Sequence, residues 1–137
     1  MSEKTETPDL RSTWAVLTPD RDLATVAVTA DVYERLDGLF GGFEGHLLLA
    51  EHAFETDWPT WEIHPDGDEL IVLLRGRGEL VLREQGRDRT VALEKPGAFV
   101  RVPRRTWHTA RIAEPTAMLF VTPGAGTRNA EHPDDAA

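Results

Sequence analysis

No cysteine occurs among the 137 residues. That excludes disulfides and thiolate–metal sites, and it leaves the redox compartment unmarked. A long hydrophobic run is missing as well. No apolar stretch approaches the roughly 20 residues needed to cross a bilayer, and residues 1–10 are too polar for a signal peptide. The chain therefore reads as cytoplasmic, with no membrane partner. A basic excess is absent too. The 15 Lys and Arg stand against 24 Asp and Glu, a formal net charge of −9, which argues against nucleic acid as a partner. Nor is there a Gly-x-Ser-x-Gly nucleophile elbow or a phosphate-binding glycine loop. Gly124-Ala125-Gly126-Thr127 follows an expected strand but precedes an acidic tail, not a helix.

What is present fits one globular domain with a proper core. Residues 1–10 and 128–137 each carry a net charge of −2 and few apolar side chains. Both are expected to be loose tails around a single domain over 11–127. Within that domain the pattern is short strands broken by Gly- or Pro-bearing turns. Strands are expected at 12–17, 23–29, 45–54, 61–64, 69–74, 79–84, 89–93, 98–102, 107–112 and 117–122, which suggests a β-sandwich or barrel. One short helix interrupts them. Asp31 offers an N-cap with Glu34 as capping-box partner, Val32, Leu36, Leu39 and Phe40 form an apolar stripe, and Gly41-Gly42 supplies a stop. Strand 69–74 is apolar on both faces, as expected of a strand buried on both sides.

Two segments carry the chemistry. One runs Trp61-Glu62-Ile63-His64-Pro65-Asp66-Gly67-Asp68-Glu69 and ends, six residues on, at Gly76; the other holds Gly97, Pro103 and His108. Side chains alternate along a strand, so Glu62 and His64 share a face. The turn at 65–68 brings Glu69 back at the head of the next strand. If the later strand 107–112 joins the same barrel, Glu62, His64, Glu69 and His108 reach a common point. Two imidazoles and two carboxylates suit a divalent transition metal such as Mn, Fe, Ni, Co or Zn.

The spacing of these two segments resembles the cupins. His64, four residues, Glu69, six residues and Gly76 fit the second half of the first cupin motif. Gly97, five residues, Pro103 and then His108 fit the second motif. Glu62 stands where the first cupin histidine would be, Arg105 where the glycine after the proline would be, and Ile112 where an asparagine often ends the motif. The run around Trp61, the Trp107-His108 pair and the closing 122–127 segment look like small stand-alone bacterial single-domain cupins. The resemblance implies an all-β double-stranded β-helix, or jelly roll, with the barrel motifs within 60–122. It also implies one divalent metal on His64, Glu69 and His108, with Glu62 either completing the shell or serving as a general base. The function implied is a metalloenzyme of dioxygenase, isomerase or lyase type acting on a small polar or anionic molecule. The alternative is a ligand-binding or sensor cupin without turnover.

Residues 97–111 contain Arg101, Arg104, Arg105 and Arg111 and no acid. Arginine suits a carboxylate or phosphate, so Arg101 and Arg105, with Trp61 as a stacking surface, are the expected substrate contacts. Arg111 should point away from the metal. His46 and His52 read as structural or solvent-facing histidines, His132 as a bystander, and Asp66 and Asp68 as turn residues with local hydrogen bonds. The second apolar face of strand 69–74, with strands 12–17 and 23–29, requires cover from a partner subunit or from the chain's own N-terminal segment. A two-fold homodimer is the expected assembly.

Overall fold

A computed structural model describes residues 3–133. The described residues form eleven strands and one helix: β1 (Thr13–Leu17), β2 (Leu23–Ala27), α1 (Val32–Leu39), β3 (Leu47–Phe54), β4 (Trp61–Ile63), β5 (Glu69–Arg75), β6 (Gly78–Glu84), β7 (Arg87–Leu93), β8 (Phe99–Val102), β9 (Trp107–Ile112), β10 (Thr116–Thr122) and β11 (Arg128–Ala130). A single 3-10 turn at Gly41–Phe43 follows the helix. The strands make two antiparallel sheets, β2-β1-β3-β10-β5-β8 and β11-β4-β9-β6-β7. This is a jelly roll, and the strand alternation explains it. In β5, Glu69, Ile71 and Leu73 are buried while the residues between them are more exposed. In β9, His108, Ala110 and Ile112 are the buried set. These inward faces meet in one cluster of Ile71, Leu73, Leu80, Leu82, Val102, Ile112, Met118 and Phe120. A second cluster lies under the helix, where Val32 and Leu36 pack with Trp14, Val16, Val26, Phe43 and Leu48.

Four expectations are corrected. The capping box does not form. The Asp31 carboxylate accepts a 2.6 Å bond from the Thr29 hydroxyl and caps no backbone N–H. The stretch from residue 128 begins as a strand: Arg128, Asn129 and Ala130 pair with Ile63, Glu62 and Trp61. The last residues of that expected tail, 134–137, lie outside the described residues. Asp66 and Asp68 bond far along the chain, to the backbone N–H of Gly45 at 2.9 Å and of Arg104 at 2.8 Å. Finally, strand 69–74 is not buried on both sides, because β1 and β2 extend the edge of the six-stranded sheet next to β3 and leave the second face of β5 uncovered by the described residues. Leu70 and Val72 on that face are only half-buried, and Leu74 is exposed.

Candidate metal centre

The site lies between the two sheets at one end of the barrel. Glu62 on β4 is the direct cross-strand partner of His108 on β9. His64 follows β4 on the same side as Glu62, two residues on. Glu69 opens β5 in the facing sheet, because the 65–68 turn carries the chain across. Gly76 at the far end of β5 holds that strand in place. A Cβ there would lie 2.3 Å from the Pro115 carbonyl oxygen, and φ is +81°, so only glycine fits. Arg105, at the motif's glycine position, adopts φ +60° and so keeps the left-handed turn. Its backbone N–H donates to the His64 carbonyl at 3.1 Å, tying the two motifs together.

The ligating atoms of Glu62, His64 and His108 lie within 4.8 Å of one another, so the group could hold a metal ion. Glu69 stands beside it. Its Oε1 is 3.0 Å from His108 Nε2 and its Oε2 is 3.3 Å from His64 Nε2, while Glu62 Oε2 is 3.7 Å from His64 Nε2. The histidines and Glu69 are buried; Glu62 is half-buried.

The outward ends of both rings are committed. His108 Nδ1 is 3.0 Å from the Thr106 carbonyl, so it must carry the proton and donate. His64 Nδ1 is 2.8 Å from Thr127 Oγ1, whose own hydroxyl donates to the Gly124 carbonyl at 2.9 Å, so again the ring donates. A neutral imidazole has one N–H, so each Nε2 turns a lone pair inward. Those two Nε2 atoms and Glu69 Oε1 are buried without a hydrogen-bond partner among the described residues. Buried acceptors facing one another need positive charge between them. A divalent cation fits this donor set, and ligating histidines are ordinarily held through the other nitrogen in this way.

The protonation tendencies agree. Burial pushes the Glu62 carboxyl up, and the negative charge of Glu69 adds to this, outweighing the nearby histidines. Burial would also raise Glu69, but its contacts with His108 and His64 win and hold it down to about 2. Burial would lower His108, yet the Glu69 carboxylate raises it above the ordinary imidazole value. Without an ion, a proton supplies the missing charge.

A cavity of about 870 Å³ opens onto this group. Glu62, His64, Glu69, Thr122, Thr127 and Asn129 give it a polar side; Phe43, Leu48, Phe54, Trp58 and Phe120 give it an apolar one. None of the expected substrate contacts lines it. Arg101 is opposite Leu70 on the outer face of the six-stranded sheet, where it pairs with Asp68 at 3.2 Å. Arg105 is exposed and acts through its backbone, and Trp61 projects off the face that Glu62 and His64 share. Alternation along β8 turns Arg101 outward from buried Val100 and Val102, which is the physical reason for the correction. Arg111 is exposed, as expected. His52 lines the cavity wall beside Phe120, with burial lowering its pKa, and stays outside the metal group.

Sequence reasoning missed two threonines. Thr127 orients His64, and Thr122 Oγ1 donates to Glu69 Oε2 at 2.5 Å. Both flank the Pro-Gly-Ala-Gly run that closes the domain, and that run was their one signal. Pro123 packs against Gly67, Gly126 against Pro65 and Gly124 against Phe43, seating the segment on the site.

The profile of a family described as "Cupin domain" matches residues 51–134. Among solved structures, the chain is similar to a variant of oxalate decarboxylase from Bacillus subtilis, with 18% identity and a TM-score of 0.52 over 61% of this chain and 23% of that one. It is similar to an oxalate oxidase, with 15% identity and a TM-score of 0.52 over 59% of this chain and 44% of that one. It is also similar to a cupin-2 domain containing protein from Shewanella frigidimarina NCIMB 400, with 19% identity and a TM-score of 0.48 over 56% and 70% of the two chains. The chain thus spans less than half the length of either oxalate enzyme. No curated protein matches the sequence.

Proposed function

The chain belongs to the cupin family, and from that premise we propose that it is a metal-dependent cupin enzyme acting on a small organic molecule held in the cavity. The observation that carries the reading is the pair of imidazoles whose Nδ1 atoms are tied outward while their Nε2 lone pairs converge on Glu69. His64, His108 and Glu69 would hold the ion, with Glu62 completing the set. When bound, a divalent ion would supply Lewis acidity toward a substrate oxygen.

The chain's own residues do the rest. Thr127 fixes the His64 tautomer, and Thr122 fixes the Glu69 carboxylate. The apolar wall excludes water from one side of the substrate. Glu62 is the half-buried carboxylate on the cavity side, 3.7 Å from His64 Nε2, so it can take and return a proton at an oxygen not engaged with the ion. We also propose that the chain works as a homodimer joined through the outer face of its six-stranded sheet, where Phe99 and Leu74 are exposed.

Calorimetric titration of chelator-treated protein with Mn, Fe, Co, Ni and Zn tests the reading. One ion per chain is expected, with His64→Ala and His108→Ala each abolishing it while circular dichroism keeps its β signature. Glu62→Gln is expected to weaken the ion. Unchanged metal with lost turnover would instead make Glu62 solely a base. Wild-type protein that takes up none of these ions would overturn the proposal.

A further inference from the structure

The cavity wall identifies the kind of molecule that can enter. We propose that its ligand is an organic cation with an apolar body, a quaternary or protonated amine, and not an anion. The proposal rests on the metalloenzyme reading for what becomes of the ligand, but not for how the ligand binds.

The first observation is the charge of the lining. Asp37, Glu55, Asp57, Glu62 and Glu69 line the cavity, and no Lys or Arg does among the described residues. A divalent ion would balance Glu62 and Glu69. Asp57 is engaged, accepting the Ile112 N–H at 2.7 Å. Asp37 on α1 and Glu55 just past β3 are exposed, with no hydrogen bond or ion pair among the described residues. A cavity walled by one sign of charge concentrates ions of the other sign. A carboxylate or phosphate entering here would lose water and find no cationic side chain in the wall, its one attractive partner being an ion whose charge Glu62 and Glu69 already balance.

The second observation is independent of charge. Phe54, Trp58 and Phe120 form one aromatic cluster on the cavity wall, with ring centroids 5.6 to 6.0 Å apart. Aromatic faces attract ammonium groups and accommodate an apolar body. The metal group's His64 and Glu69 stand in the same lining, so a ligand on the aromatic wall sits beside them. The arginines that would have favoured an anion lie outside it, Arg101 being neutralised by Asp68.

Three probes of similar size separate the possibilities: benzyltrimethylammonium, the neutral benzyl methyl sulfone, and benzylsulfonate. Binding is measured by calorimetry on protein as purified and after chelation, with metal content determined on the same samples. The ammonium is expected to bind roughly fivefold or more tightly than the sulfone, the scale of one cation–aromatic contact. The sulfonate should bind weakest, and added salt should weaken only the ammonium. Asp37→Asn combined with Glu55→Gln should remove the salt dependence of the ammonium and the part of its advantage beyond the aromatic contact, while leaving metal content and sulfone affinity unchanged. Sulfone or sulfonate binding as tightly as the ammonium would overturn the proposal, as would a salt-independent ammonium or no binding of any probe. A preserved ammonium preference in protein that binds no metal would sink the metal reading alone.

Discussion

Arg105 holds a backbone conformation that its side chain does nothing to favour. At φ +60° the Cβ crowds the following carbonyl, which costs roughly 1–2 kcal/mol, and its exposed side chain makes no compensating bond among the described residues. Glycine would relieve that crowding, less the roughly 0.4–1 kcal/mol by which it loosens the unfolded chain. Arg105→Gly is therefore expected to stabilise the protein by about 0.5–1 kcal/mol, read as a raised urea midpoint with an unchanged slope. A lowered midpoint would mean the guanidinium contributes something its surroundings do not show. At His108 the expected effect is on protons. Its pKa in the metal-free protein is raised, so below that raised value an entering cation must displace a proton. Metal affinity should climb with pH up to the raised value and then level off. Calorimetry in two buffers of different ionisation enthalpy should count more protons released per ion near pH 6.5 than at pH 9. The same shifts act on the metal-free fold. The His108 contribution is complete below its ordinary pKa and fades as pH rises through the raised one. The Glu69 contribution is complete above its ordinary pKa and fades as pH falls toward about 2.

The strands were legible because each carries its own alternation. The ten expected strands all formed, with ends shifted by a residue or two, since period-two burial needs no knowledge of the partner strand. That Glu62, His64, Glu69 and His108 come together was legible for a related reason: strand parity gives the face, and a rolled sheet supplies the convergence. Parity also shows where the reading went astray. Applied to β8, it turns Arg101 away from the site; clustering in sequence suggested substrate contact, but neighbours along a strand face opposite ways. β11 escaped because it is three residues long, polar, and paired to β4 only by position in space. Thr122 and Thr127 escaped because a threonine that orients another side chain leaves no pattern of its own. The cavity's aromatic side was equally hidden, its members coming from β3, the loop before β4, and β10.

Across the whole molecule, the outer face of the six-stranded sheet is where the proposed homodimer would join. Register places Ala15, Leu49, Val121 and Leu70 side by side in one row that ends at Arg101, and Leu119, Val72 and Phe99 in the next, which begins at Glu51. Phe99 is 64% exposed and Leu74 37%. Broad apolar surfaces of this kind mark association sites, and a two-fold pair closes on itself. Light scattering should give about twice the 15.3 kDa chain mass. Val72→Asp should shift it to the single-chain value without loss of the β signature. A single-chain mass for the wild type would rule the pair out. The threonine that holds His64 has another consequence, one of timing. Ribosomes deliver the chain from its first residue onward, so His64 is available long before Thr127, 63 residues later, and before Asn129, which pairs beside Glu62. Contacts so distant in sequence close late in folding. The nascent protein thus has most of its barrel strands in hand before it can orient His64, whereas His108 needs only the Thr106 carbonyl two residues away.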